Sequence, residues 1–149
     1  MKAWRLVQQR HVAHAFDGEG ARLYGGRWNH RGTSLVYAAE SLALAALEML
    51  VHLQRSILMQ RYCCIALEFD PALCQTLESP PANWRLTTGL QATRDLGSAW
   101  FRQQESAVLR VPSAIVPQEN NYLLNPHHPD FVRMKIGQPE IFTFDPRLA

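Results

Sequence analysis

Between Leu23 and Leu53 the chain reads LYGGRWNHRGTSLVYAAESLALAALEMLVHL, and this stretch holds the residues best suited to chemistry. Arg27 follows Gly25 and Gly26, a pair that opens backbone conformations closed to other residues and lets a ligand approach the chain closely. An arginine so placed can grip phosphate or carboxylate through two parallel hydrogen bonds. The plainer alternative is a glycine turn with a solvated arginine, and the spacing leaves both open. Trp28 and Tyr37 add flat faces on which a heteroaromatic ring could stack.

Glu48 is the second such residue. On a helix over Ser41–Arg55 turning about 100° per residue, Leu42, Ala43, Ala46, Leu47, Met49, Leu50 and Leu53 cover most of the circumference. Ser41, Glu48, His52 and Arg55 share a polar stripe only about 60° wide on this otherwise buried helix. A carboxylate buried without partners is costly or takes up a proton. The stripe therefore either meets solvent or lines a cleft where Glu48 has partners. His52 reads as part of the stripe, tuning Glu48 rather than acting as an independent base.

Arginine, aromatic rings and a lone carboxylate suit cleavage of an N-glycosidic bond to a cationic nicotinamide. The sugar becomes oxocarbenium-like and nicotinamide leaves neutral, so the leaving group needs no general acid. One carboxylate can stabilise the developing charge or orient the nucleophile, in analogy with glycosidases. Arginine would hold a dinucleotide's phosphates while an aromatic ring stacks on nicotinamide. NAD would then be a substrate and not a bound cofactor. GEGARL, Gly18 to Leu23, lacks the third glycine and the strand-to-helix setting of a dinucleotide-binding turn. No metal is expected, because neither His11 with His14 nor His127 with His128 has a convincing carboxylate or cysteine partner at ligand spacing.

These residues need elements to carry them. AWRLVQ (Ala3–Gln8), SLVYAA (Ser34–Ala39), RYCCIALEFD (Arg61–Asp70) and EIFTFD read as strands, the third of them central, with Ser41 as a helix N-cap. The passage from Asp17 to Thr33 reads as too irregular for regular structure. Glu78 to Gly89 reads as a surface excursion, and ATRDLGSAWFRQQES as a helix with Trp100 and Phe101 turned inward. AVLRVPSAIVP gives two apolar runs hinged at Pro112-Ser113, and NNYLLNPHHPDF a polar-aromatic loop. Strands and helices alternate without a βαβ rhythm, so the class is α+β.

The 149 residues suit a single domain with its own core. A formal charge of +2 without a basic run argues against direct nucleic-acid binding, although Arg22, Arg27 and Arg31 leave a small anionic ligand open. Cys63, Cys64 and Cys74 read as core thiols in a reducing compartment. The N-terminus lacks a signal-peptide pattern and the longest apolar run is too short to span a bilayer, so a soluble cytoplasmic protein with no membrane contact is expected.

GGRWNHRGTSLVYAAESLALAALEML, then VPSAIVP, then NYLLNPHHPDF resemble, in order and spacing, the RES domain, a family named for its Arg, Glu and Ser. The resemblance implies one RES domain over 1–149, its core from about Trp4 to Asp145. It implies that Arg27, Tyr37, Glu48 and Ser113 are the family's arginine, tyrosine, glutamate and serine. Arg27 and Glu48 would then be catalytic, with Arg27, Tyr37, Ser113 and Asn121 on the substrate, while Asn125 and His128 match a later motif without assigned roles. The implied fold resembles ADP-ribosyltransferases, with small mixed sheets and packed helices. The implied function is a bacterial toxin that consumes NAD by hydrolysis or phosphorolysis, restrained by a helix-turn-helix antitoxin that covers its site. Protein ADP-ribosylation and a catalytically silent binding module are the alternatives, and self-association through apolar surface is left open. Ser113 could face the cleft floor and bond Glu48 or a ribose hydroxyl, or be a buried structural serine. No Ser-His-Asp arrangement makes it a nucleophile.

Overall fold

The computed structural model describes residues 1–52 and 60–148. Leu53 and Arg55 of the expected helical stripe lie outside the described residues. The chain opens with β1 (Lys2–Gln8), α1 (Glu19–Tyr24), β2 (Val36–Ala39) and α2 (Leu42–Leu50). It continues through β3 (Tyr62–Glu68), β4 (Cys74–Thr76), α3 (Leu90–Gln103), β5 (Val108–Pro112) and β6 (Asn120–Leu124). β7 (Lys135–Ile136) and β8 (Glu140–Phe142) follow. The described strands join into one sheet in the order β4-β5-β6-β2-β1-β3-β7, with β8 also on β3. Pairing is antiparallel except between β4 and β5. The architecture is α+β, as expected.

Which residues share a sheet face follows from register, because directly paired residues point the same way and neighbours along a strand alternate. Trp4 pairs with Ala39, Ala39 with Asn121, Asn121 with Val111, and Tyr37 with Leu123. All of these therefore occupy one face. α2 covers the β1–β3 end of that face, packing Leu44 and Ala45 with Leu6, Ala39 and Cys64. α3 covers the β5–β6 end, where Trp100 packs with Leu109, Val111 and Leu123. Ala3, Val36, Leu67, Val108, Tyr122 and Leu124 face the other way, into a core closed by Phe69, Leu73 and Met134. β3 is a continuous apolar run because both of its faces are covered.

β1 pairs with β3 along its full length but with β2 only at Trp4–Ala39, which leaves a narrow seam in the sheet. Arg5 bridges it, donating to the carbonyls of Tyr37 (2.8 Å) and Ala15. Desolvation lowers the Arg5 pKa to about 10, opposed by the charge of Asp17, so the guanidinium stays protonated at neutral pH.

Four local expectations are corrected. The passage from Asp17 to Thr33 contains a helix, α1, entered through Gly18 at φ 75. NNYLL is no loop but the interior strand β6, because Tyr122 and Leu124 bury on one face and Leu123 on the other. Only the first run of AVLRVPSAIVP is a strand. After Pro112 the Ser113 hydroxyl accepts hydrogen bonds from the amides of Ile115 and Val116, and this turn withdraws both donors from a ladder. α2 is not buried all round, since Leu47 is 42% exposed and Val51, just past its end, 61%.

Candidate functional site

Ser41 caps α2 as expected, its hydroxyl accepting from the Leu44 amide at 3.1 Å. The cap fixes the start of the helix and so the direction of Glu48. Glu48 is half-buried and turns to the sheet, where its Oε1 accepts from the Ser113 hydroxyl and from Asn121 Nδ2, each at 2.7 Å. Oε2 accepts nothing among the described residues. Of the polar stripe, Glu48 thus has partners against the sheet, while His52 beyond the helix end is exposed.

Asn121 can present only its amide nitrogen to a carboxylate, because the reversed amide would set two acceptors against each other. Its Oδ1 is then buried with no partner among the described residues. A buried acceptor left open is costly and rare, and it marks a place where a ligand hydroxyl or water is wanted. Ser113 is fully buried, and its hydroxyl is used completely, donating once and accepting twice.

The Gly25–His30 segment rests on α3. Thr93 Oγ1 donates to the Arg27 carbonyl at 2.6 Å, Arg94 Nε to the Gly26 carbonyl at 2.9 Å, and the His30 amide to Ser98 Oγ at 3.1 Å. Gly97 lets the two backbones meet, since a Cβ there would stand 1.7 Å from the Trp28 carbonyl oxygen. Gly26 is required for a second reason: a Cβ would lie 2.6 Å from the Tyr37 hydroxyl. That hydroxyl donates to Asn29 Oδ1 at 2.6 Å and accepts from the Trp28 amide at 3.1 Å. Burial raises the Tyr37 pKa well above the usual tyrosine range, against the opposing charges of Arg94 and Arg27.

Two routes of contact connect Arg27 with Glu48. In the first, Arg27 Nη1 donates to the Trp84 carbonyl at 2.7 Å and the next residue, Arg85, donates to the Ala114 carbonyl at 2.9 Å. Ala114 adjoins Ser113, which holds Glu48. In the second, Tyr37 lies beneath the arginine segment and shares a sheet face with Asn121. The two are cross-strand diagonal neighbours, about 7–8 Å apart by that geometry, with their Cβ atoms somewhat closer. The guanidinium-bearing segment and the carboxylate therefore meet the same face of the sheet, the first on α3 and the second on α2.

Arg27, Tyr37, Glu48, Ser113 and Asn121 are gathered in this way, but other residues singled out in the sequence are placed elsewhere. Asn125 is fully buried and accepts from the His127 amide at 2.9 Å, a structural role. His128 accepts from the Asp130 amide at 3.0 Å and reaches the Gln104 carbonyl at 2.9 Å, which fixes its tautomer and ties two loops. Trp28 is 2% exposed and has no free face for a ligand. The half-buried Trp84 packs against it with centroids 6.2 Å apart and is the more accessible indole. Sequence reasoning missed Asn29, Arg85 and Arg94. The available signal was the small and polar face Thr93, Gly97, Ser98 on a helix, which asks for a close backbone neighbour. Two depressions of about 580 Å³ lie elsewhere, one beside Met1, Phe69 and Lys135 and one between α3 and β4.

Residues 2–145 match the family model described as RES domain. The chain is 41% identical over 151 residues to "Toxin Res" of Yersinia enterocolitica, covering 99% of each. It is 38% identical over 152 residues to "Prs ADP-ribosylating toxin" of Sphingobium sp., covering 97% of this chain and 94% of that one. In fold it is similar to a chain of the M. tuberculosis MbcT–MbcA toxin–antitoxin complex, with a TM-score of 0.80 at 18% identity over 99% of this chain and 85% of the other.

Proposed function

Because this chain belongs to the RES domain family, we propose that it is the toxin of a toxin–antitoxin pair and that it cleaves the nicotinamide–ribose bond of NAD. The observation that carries the reading is the Glu48 carboxylate, held through Oε1 by Ser113 and Asn121 while Oε2 accepts nothing among the described residues. In the reaction the C1′–N bond breaks and nicotinamide leaves with the bonding pair, as a neutral molecule. Water or phosphate then bonds to C1′ and releases a proton. In this reading the fixed carboxylate stabilises the cationic sugar or aligns that nucleophile, and a preoriented charge costs no reorganisation as the barrier is crossed. Asn121 Oδ1 accepts a ribose hydroxyl, Arg27 orients the dinucleotide, and Tyr37 offers its ring to nicotinamide.

NAD enters as substrate in this reading, and the cleavage step uses no further cofactor. The partner in this reading is a helix-turn-helix antitoxin that covers the Arg27–Glu48 cleft, in keeping with a fold shared with a chain of a toxin–antitoxin complex. The site of action is the cytoplasm, where NAD is plentiful. Among the described residues no helix is long and apolar enough to cross a membrane.

A second reading has the same centre passing ADP-ribose to a protein, and the relative named "Prs ADP-ribosylating toxin" favours it. NAD labelled in its adenosine half separates the two. With purified protein, water and phosphate, nicotinamide should appear together with soluble labelled ADP-ribose or its phosphate. Label retained on macromolecules in a cell extract would support transfer, and no nicotinamide under either condition would overturn both.

A further inference from the structure

We infer that Arg94, which the sequence reading did not single out, forms with Arg27 a two-guanidinium clamp for the diphosphate of a dinucleotide. The inference rests on the NAD reading above. Several arginines have carboxylate partners: Arg22 with Glu19, Arg110 with Glu40, Arg133 with Asp130 and Arg147 with Asp145. Arg27 and Arg94 join no ion pair among the described residues, although both are half-buried. Each is instead oriented by a backbone carbonyl. Arg27 donates one N–H to Trp84, and Arg94 donates its Nε–H to Gly26, the residue before Arg27. That leaves the Nη groups of Arg94 and most donors of Arg27 for something else.

Arg94 reaches from α3 to the residue before Arg27, so both arginines meet the same stretch of backbone, and both cations bear electrostatically on the Tyr37 hydroxyl. Two half-buried like charges side by side repel unless an anion lies between them. Planar guanidiniums with fixed stems suit bidentate contacts to phosphate oxygens. A diphosphate answers the count, with one charged group for each arginine. Across Tyr37 and Asn121 stands Glu48, about one cross-strand diagonal away, so the clamp and the carboxylate would lie to either side of the ribose.

The test is Arg94→Gln in the full chain. Glutamine Nε2 occupies the place of arginine Nε, so the hydrogen bond to Gly26 survives while the cationic tip is lost. The expected result is a KM for NAD raised about tenfold or more with kcat little changed, since a binding contact remote from the bond broken acts alike in ground and transition states. Calorimetry with ADP-ribose should show a matching loss, Arg94→Lys should recover part of it, and the melting temperature should hold. Unchanged ADP-ribose affinity in Arg94→Gln, or an equal loss for nicotinamide riboside, which has no phosphate, would overturn the clamp. Tight ADP-ribose binding lost in Arg94→Gln, but with no nicotinamide released by the wild type, would support the clamp and sink the cleavage reading alone.

Discussion

Ser113 illustrates how far the roles at this site are set by single atoms. Its proton goes to Glu48 and its lone pairs to the amides of Ile115 and Val116, so it positions the carboxylate and has nothing left to act as nucleophile. Tyr37 is committed in the same way, between Asn29 and the Trp28 amide, and its alkaline behaviour should show it. Burial raises its pKa in the folded state. Above the ordinary tyrosine value of about 10, the unfolded chain has lost the proton that the folded chain retains. Folding then takes up a proton, and stability that is full below that pH falls as pH rises. Urea unfolding followed at rising pH should show a steeper alkaline loss for wild type than for Tyr37→Phe. Tyr62 and Tyr122 are also raised, but they remain in both proteins and cancel in the difference. At neutral pH Tyr37→Phe should cost about 1–3 kcal/mol, because Asn29 Oδ1 and the Trp28 amide lose their partner. Superimposable pH profiles would remove Tyr37 from the account.

At the scale of elements, α3 does for Arg27 what α2 does for Glu48. Gly97→Ala should be among the most damaging single-methyl changes, since the added carbon meets the Trp28 carbonyl and not a movable side chain. Overpacking of this kind costs about 1–3 kcal/mol or more. Thermal unfolding should record that loss, and NAD turnover should fall with it as the arginine segment lifts. Unchanged stability would mean that the helix and the segment do not meet as described. By sequence alone Gly97 is no more than a mild weakness of a helix, because helix propensity is local and the backbone it accommodates is 69 positions earlier in the chain. Glu48 was legible from a narrow polar stripe and Ser41 from its capping chemistry, both of them short-range patterns. Asn121 was not legible as a strand residue. Two adjacent asparagines favour turns, and only burial of Tyr122, Leu123 and Leu124 on both faces holds β6 in the sheet. The exposed side of α2 was likewise hidden, because apolar residues facing solvent look the same in sequence as those facing a core.

The whole molecule brings together residues from both halves of the chain. Ser113 and Asn121 meet Glu48 across 65 and 73 positions, so the site exists only when the sheet has closed and both helices lie on one face. The β1–β2 seam, stitched by Arg5, is where that closure is thinnest. The central claim is that this assembly holds a negative charge beside a ribose, and Glu48→Gln tests it with little disturbance of the fold. The glutamine carbonyl can accept the same two hydrogen bonds from Ser113 and Asn121, so only the charge is removed. Nicotinamide release from NAD should then fall by about a hundredfold or more, on the scale lost when a preorganised electrostatic contact is removed, with the melting temperature nearly unchanged. Release at the wild-type rate from a folded Glu48→Gln protein would contradict the claim.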